Sequence, residues 1–223
     1  MVIEEAVAGM LSAHEARVLG SLMEKQMTTP DYYPLTLKAL TAACNQKSSR
    51  VPVMNLSESE VGGVVNDLRA AGLITARMDG RADRYEQHLS RKINISTKER
   101  AVLCVLMLRG SLTHNEIRIN TGRMVSFDSS DELQGLLQSL MERDDPLLIR
   151  IPRASGQRED RYAQLLCGKP DFEVGPKGAG NTTSGSTIES DRMDDRMTQL
   201  ERDVANLKKE VQRLCQWIES PKD

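Results

Sequence analysis

Few residues in this chain have the type and spacing that catalysis needs. The histidines are His14, His88 and His114, and none has a cysteine or carboxylate at metal-site spacing. The motifs of serine hydrolases, zinc proteases and dinucleotide-binding enzymes do not occur. We therefore predict that the protein is not an enzyme, with no catalytic residues, no metal and no cofactor. The cysteines are far apart and include no C-x-x-C pair: Cys44, Cys104, Cys167 and Cys215.

Arginines in and beside a repeated segment could bind phosphate groups. Residues 83–87 read DRYEQ and residues 160–164 read DRYAQ. Guanidinium groups donate paired hydrogen bonds to phosphate oxygens, so these arginines suit double-stranded DNA. They are Arg77, Arg81 and Arg84 in the first copy, and Arg150, Arg153, Arg158 and Arg161 in the second.

Each repeated segment must lie on a β-hairpin. It follows a β-rich run, at 73–77 or 147–151, and a polar turn that contains glycine. A hairpin after three helices is the wing of a winged helix, so two copies predict two winged helices in tandem. A second interpretation stays open, in which the hairpins are merely solvated and Arg84 and Arg161 pair with the adjacent Asp83 and Asp160.

Helix-start signals occur in the same order in both units. In the first, Ser12 opens a helix to about Met27, a second helix covers 35–44, and Ser57 opens a third that ends at Gly72. The second unit has helix starts at Ser96, at Thr113 and at Ser129 or Ser130. Such a repeat is hard to obtain by chance.

These patterns predict an α+β fold, mainly helical with small β-hairpins. The predicted organisation is a lead-in at 1–10, winged-helix domains at 11–90 and 91–170, a flexible linker at 171–190 and a coiled-coil helix at 191–219. The linker is rich in glycine, serine and threonine.

Composition narrows the possible partners. The 223 residues are 39% apolar and only 3% aromatic, so stacking platforms for single-stranded nucleic acid are not expected. A net charge of -2 argues against a protein that coats nucleic acid non-specifically, although region 91–170 is net basic. We see no signal peptide and no run long enough to span a membrane, so we expect a cytoplasmic protein that does not bind membranes.

The C-terminal segment carries a heptad seam. β-branched residues at a positions with leucine at d favour a parallel two-stranded coil, which predicts a homodimer. The alternative is a helix that packs on its own winged-helix domains. The seam residues are Met197, Leu200, Val204, Leu207, Val211, Leu214 and Ile218.

The predicted third helices give a mixed signal for DNA. Carboxylates in their first turns suit the helix dipole but repel phosphates. The residues able to read base edges are Asn66, Arg69, Gln134, Gln138 and Arg143.

The polar loop after the second helix carries a recognisable motif. Residues 35–50, with Pro52, Val53 and Met54 and the later RYEQ at 84–87, resemble the bacterial YceH-like family. That resemblance implies a tandem winged-helix fold and supplies no activity. The loop could be a recognition surface or could cap neighbouring helix ends. It consists of Asn45, Gln46, Lys47, Ser48, Ser49 and Arg50.

Two functions are consistent with these patterns. The first is a DNA-binding protein, possibly a transcriptional regulator, with basic wings. The second is a non-enzymatic adaptor that binds a protein partner, which the near-neutral charge and acidic third helices favour. Basic wings and the fold itself favour the first.

Overall fold

The chain folds as an α+β protein in which one order of elements occurs twice. The computed structural model describes residues 9–79, 82–153 and 157–170. The first half contains α1 (Ala13–Thr28), β1 (Leu35–Thr36), α2 (Leu37–Cys44), α3 (Glu58–Ala70), β2 (Ile74–Asp79) and β3 (Ala82–Gln87). A short helix, α4 (Leu89–Lys92), leads to the second half. That half contains α5 (Thr97–Arg109), β4 (Leu112–Thr113), α6 (His114–Thr121), α7 (Ser130–Met141), β5 (Leu148–Ile151) and β6 (Arg161–Gln164).

Several predicted features lie outside the described residues. They are the linker at 171–190, the heptad helix at 191–219 with all its seam residues, and Arg81. Residues 9–170 belong to one compact unit, Met1–Pro176. The α+β class is therefore confirmed, while the boundaries at 11–90 and 91–170 stay predictions.

Reciprocal caps fix the helix starts. Within the described part of the chain, four helices begin with a capping box, in which a hydroxyl accepts from the N3 amide and the N3 glutamate accepts from the cap amide. The pairs are Ser12–Glu15, Ser57–Glu60, Ser96–Glu99 and Thr113–Glu116, as predicted. Ser129 caps α7, which resolves the choice between Ser129 and Ser130. Helix α2 begins at Leu37 because Thr36 caps it, two residues later than predicted.

The repeated DRY segments form the central strands of two antiparallel sheets. The strand orders are β1-β3-β2 and β4-β6-β5. Tyr85 lies opposite Leu35 in the first sheet, and Tyr162 lies opposite Leu112 in the second. The two-residue strands β1 and β4 were not predicted. They are too short to show an alternating pattern, and the second residue of each, Thr36 or Thr113, is also the cap of the next helix.

Helices α1 and α5 pack against each other at the centre. All residues from Ala16 to Glu24 and from Ala101 to Leu108 are buried. A helix buried on every side needs neighbours on every side. The approach is close at Gly20, where an added Cβ would lie 3.0 Å from Leu108 Cδ2. The Cys104 thiol donates to the Gly20 carbonyl at 3.3 Å.

Backbone hydrogen bonds also join the two halves. The Gly9 and Leu11 amides donate to the Leu165 and Leu166 carbonyls at 2.9 and 2.8 Å. In the loop after α2, the Val51 amide donates to the Leu108 carbonyl at 2.8 Å. The halves are thus connected at the N-terminus, along the central helix pair and at the α2–α3 loop. Among the described residues, no helix is long and apolar enough to cross a membrane.

Candidate binding surfaces

The arginines of the DRY segments hold the sheets together. The Arg84 guanidinium donates to the Pro34 carbonyl at 3.0 Å, just before β1. Arg161 donates to the Ser111 carbonyl at 3.1 Å, just before β4, and to the Glu116 carboxylate at 3.0 Å. The two arginines therefore have the same role in both halves, attaching the short outer strand to the central one. The alternative in which Arg161 pairs with the adjacent Asp160 differs from the structure, because Arg161 reaches across the sheet and Asp160 accepts from Arg150.

Three other predicted DNA contacts also have partners within the protein. Arg143 donates to the Ile93 carbonyl at 2.8 Å, which connects the end of α7 to the loop after α4. Arg150 Nε donates to Asp160 at 2.7 Å, and Arg77 donates to Glu86 at 2.9 Å. The Arg150 and Arg77 side chains are 58% and 68% exposed, so both could still contact a ligand. Of these three arginines, Arg143 is the one whose main contact is with the protein backbone.

The remaining described candidates lie at the surface. Arg153 and Arg158 are exposed on the β5–β6 hairpin, and one Arg153 nitrogen donates to the Arg158 carbonyl at 3.4 Å. On the first half, Asn66 and Arg69 line a shallow depression with Thr75. Gln134 and Gln138 are exposed on α7.

The third helix of each half carries little positive charge. Helix α3 has one basic residue, Arg69, and α7 has none. Glu132 in α7 is paired with Lys98, and Asp131 is exposed. A helix entering the major groove passes between two rows of phosphates, so these helices suit DNA poorly.

The loop after α2 is held by two buried arginines. Arg50 is 3% exposed and donates to both Glu24 carboxylate oxygens, at 2.6 and 3.3 Å. Its Nε donates to the Ala43 carbonyl at 3.1 Å. Arg17, 2% exposed, donates to the Cys44 and Pro52 carbonyls at 3.1 and 2.7 Å. These bonds satisfy carbonyls at the end of α2 and in the loop, which is a structural role.

Asn45 closes the same loop from the other side. Its side-chain amide donates to the Leu56 carbonyl at 2.7 Å and accepts from the Leu56 amide at 2.8 Å. Of the six motif residues, Lys47 and Ser48 are exposed, and Gln46 is partly buried. The capping interpretation therefore describes Asn45 and Arg50, and the motif's contacts are mostly internal.

Sequence reasoning missed Arg17 and Glu24, the partners of this loop on α1. Both lie in the buried part of α1, seven residues apart and therefore on one face. Two charged residues on a buried face indicate an internal ion pair or carbonyl contacts, because unpaired charges are rarely buried. That signal was present, but nothing in the spacing identified Arg50 as the partner.

The held loop presents apolar side chains to solvent. Val51 is 60% exposed and Val53 56% exposed, on either side of Pro52, whose carbonyl is held by Arg17. We call residues 51–53 the valine ridge. Its backbone is fixed at Val51 by Leu108 and at Pro52 by Arg17.

A hydroxyl, an imidazole and a carboxylate meet on the first sheet, but they do not form a catalytic relay. Thr75 Oγ1 lies 2.7 Å from His88 Nε2, and Glu86 lies 3.5 Å from the same nitrogen. A relay needs the carboxylate on the opposite ring nitrogen from the hydroxyl. Among the described residues, no three His, Cys, Asp or Glu gather in a group that could hold a metal.

Together, these features define an α+β protein of two repeated helix–sheet units. Its first unit carries a loop that two buried arginines hold and that exposes apolar side chains. Residues 11–157 match the family model described as protein of unknown function, DUF480. The chain belongs to this DUF480 family, in agreement with the resemblance to YceH-like proteins.

Relatives named UPF0502 protein match over most of their length. The protein of Cellvibrio japonicus is 42% identical over 207 residues, covering 93% of this chain and 95% of the relative. The protein of Vibrio atlanticus is 39% identical, and the match covers 94% of this chain and 97% of the relative. The protein of Solibacter usitatus is 45% identical, and the match covers 89% of this chain and 93% of the relative. The family is thus shared by bacteria of several genera.

Proposed function

We propose that the protein is a non-enzymatic cytoplasmic adaptor built on two winged helices, and that it binds a protein partner through the valine ridge. The order helix, short strand, helix, helix, hairpin in each half supports the winged-helix assignment, as do the matching strand orders. The scarcity of basic residues on α3 and α7 favours a protein partner over DNA.

The observation that carries this proposal is the valine ridge. Val51 and Val53 are more than half exposed on a loop, so most of their apolar surface lies outside the core. Here the backbone beneath them is fixed by a buried arginine and by a hydrogen bond to the other half. A rigid apolar surface loses little conformational entropy when a partner covers it.

The charge around the ridge indicates the chemistry of the partner. Lys47 is exposed in the same loop, and the side chain of Arg123, beyond α6, is 73% exposed. Arg109, next to the Leu108 carbonyl that holds Val51, adds a third positive charge. An apolar segment flanked by acidic residues complements this surface, because opposite charges at the rim speed association and exclude other partners.

Site-specific photocrosslinking in cells tests the adaptor. A photoreactive amino acid at Val53 should give a discrete protein adduct, while the same probe at exposed Lys38 on α2 should not. The identified partner, purified, should then bind the wild-type chain and lose at least tenfold affinity for a Val51→Ser, Val53→Ser variant. Adducts that are the same at both sites, or a variant that binds equally well, would refute the proposal.

Double-stranded DNA is the second candidate, supported by a different surface. Asn66, Arg69 and Arg77 lie on adjoining parts of α3 and β2, and Arg153 and Arg158 are exposed on the other hairpin. Fluorescence anisotropy of a random duplex across salt concentrations tests it. If the protein binds DNA, its affinity should fall steeply as the salt concentration rises. The affinity should also be lower in an Arg153→Ala, Arg158→Ala double variant. No binding at low salt would eliminate general DNA affinity.

We also propose a homodimer through the heptad helix at 191–219. Its seam residues in the sequence support this, with valine or isoleucine at three a positions and leucine at d. A Val204→Glu, Val211→Glu double variant should halve the mass in solution, since charges at a positions disrupt the seam. An unchanged mass would contradict it.

A further inference from the structure

A cleft lies between the two halves beside the held loop. Glu24 and Thr28 of α1 and Ser49 of the loop line one side, and residues of α5 and α6 line the other. Its volume is about 150 Å³. A cavity of that size holds a molecule about as large as benzene. The space suits a small ion or metabolite.

Positive charge exceeds negative charge around this cleft. The Glu24 carboxylate is already neutralised by Arg50 at 2.6 Å. Two further guanidinium groups line the space, those of Arg109 and Arg123. Arg109 donates to Ser49 Oγ at 2.8 Å, and Arg123 lies 4.0 Å from Glu24. Burial lowers the pKa of Arg109; Glu24 acts against this, and the like charges of Arg50 and Arg123 add to the lowering.

The helix ends near the cleft do not cancel this charge. Helices α1, α5 and α6 all end close to it, and helix C-termini carry partial negative charge. However, carbonyls in their last turns already accept hydrogen bonds, from Thr28 to Glu24, from Val51 to Leu108 and from Thr121 to Ile117. Two full positive charges therefore dominate the site.

We propose that this cleft binds a small oxyanion, with Arg109 and Arg123 as its charged ligands. The Asn120 side-chain amide donates one hydrogen to the Glu116 carbonyl at 2.8 Å and offers the second to the anion. Guanidinium groups bind phosphate and carboxylate oxygens through paired, charge-assisted hydrogen bonds. All three ligands belong to the second half, and Thr28 and Ser49 of the first half line the opposite side of the cleft. An anion that binds only the folded chain stabilises it. Arg109 and Arg123 also belong to the positive rim of the valine ridge, but anion binding does not involve Val51 or Val53.

Binding can be measured on the full chain with two probes. Inorganic phosphate and succinate are titrated by calorimetry and by thermal unfolding, with chloride at matched ionic strength as the reference. The melting temperature should rise with at least one probe, and which of them acts identifies the phosphate or carboxylate class. If neither probe binds at concentrations up to ~10 mM, the proposal is overturned. A Kd of ~10 mM corresponds to a binding free energy of about -3 kcal/mol.

Matched variants locate the site. Arg123→Gln removes a largely exposed side chain and should leave the fold intact while weakening the anion at least tenfold. Arg118→Gln makes the same charge change on α6, where Arg118 contacts Asn115 and does not line the cleft. It should bind like the wild type. Equal loss in both variants would mean general charge attraction and would refute the site. Ser49→Ala should weaken binding less than Arg123→Gln, since Ser49 acts through Arg109.

Discussion

Replacing Arg50 with alanine tests whether the loop motif is structural. The change removes two bonds to the Glu24 carboxylate and bonds to the Ala43 and Ser49 carbonyls, at 3.1 and 3.0 Å. It also leaves a carboxylate that is only 6% exposed. Breaking one side of a buried ion pair costs about 3–5 kcal/mol. Lys25 and Arg123, at 3.8 and 4.0 Å from Glu24, remain, so we expect a loss of about 3 kcal/mol.

The free energy of unfolding can be measured by urea denaturation followed by far-ultraviolet circular dichroism. Arg77→Ala is the matched control, because it also breaks an arginine–glutamate pair, but one with a 68% exposed arginine. Solvent screening limits that loss to under about 1 kcal/mol. A Glu24→Leu, Arg50→Met double variant should be more stable than Arg50→Ala, since no buried charge is left unpaired. A loss for Arg50→Ala no larger than that for Arg77→Ala would refute the reasoning.

Three further predictions concern packing, capping and thiol chemistry. Gly20→Val should lower the free energy of unfolding by about 1–3 kcal/mol, because the new side chain would meet Leu108. Gly63→Ala should raise the free energy of unfolding by about 0.5–1 kcal/mol, because open space surrounds Gly63 in α3 and alanine favours a helix. Urea midpoints check both, and a neutral Gly20→Val would contradict the close packing. Ser96→Ala should cost about 1 kcal/mol by loss of a capping box, and no change would mean that α5 does not need its cap. In a Cys215→Ser background, a thiol reagent should label Cys167 slowly at pH 7 and faster at higher pH. Cys167 is an exposed residue, but partial desolvation of its sulfur raises the pKa of the thiol, so the reactive thiolate forms only as pH rises. Buried Cys44 and Cys104 should react only after unfolding, and their labelling in the native state would contradict the packed core.

The sequence predicted local structure better than contacts between distant residues. Capping boxes involve residues three apart, so Ser12, Ser57, Ser96 and Thr113 could be identified directly. The hairpins were also predictable, since apolar runs and a glycine turn are local signals. The strand β1 was not, because its pairing with β3 joins residues about fifty positions apart.

The arginines show why the site was harder to predict. From sequence, Arg84, Arg143 and Arg161 were indistinguishable from surface cations that could bind phosphate. Each donates to a backbone carbonyl at least 49 positions away, so nothing nearby revealed its role. Arg153 and Arg158 kept their predicted exposure because both lie on a solvent-facing hairpin. The valine ridge was overlooked because isolated apolar residues in a loop are ordinary in sequence.

The central pairing of α1 with α5 has a consequence for biosynthesis. Helix α1 leaves the ribosome long before α5, and the buried face that Leu108 and Cys104 will cover has no partner until then. The nascent first half therefore exposes apolar surface for the time needed to translate about eighty residues, several seconds at bacterial elongation rates. Chaperone binding during that interval, or aggregation of a chain truncated before Thr97, follows from the same geometry. The N-terminal half therefore depends on the C-terminal half to cover its apolar surface. A stop codon between the two halves should yield an insoluble fragment instead of a small folded domain.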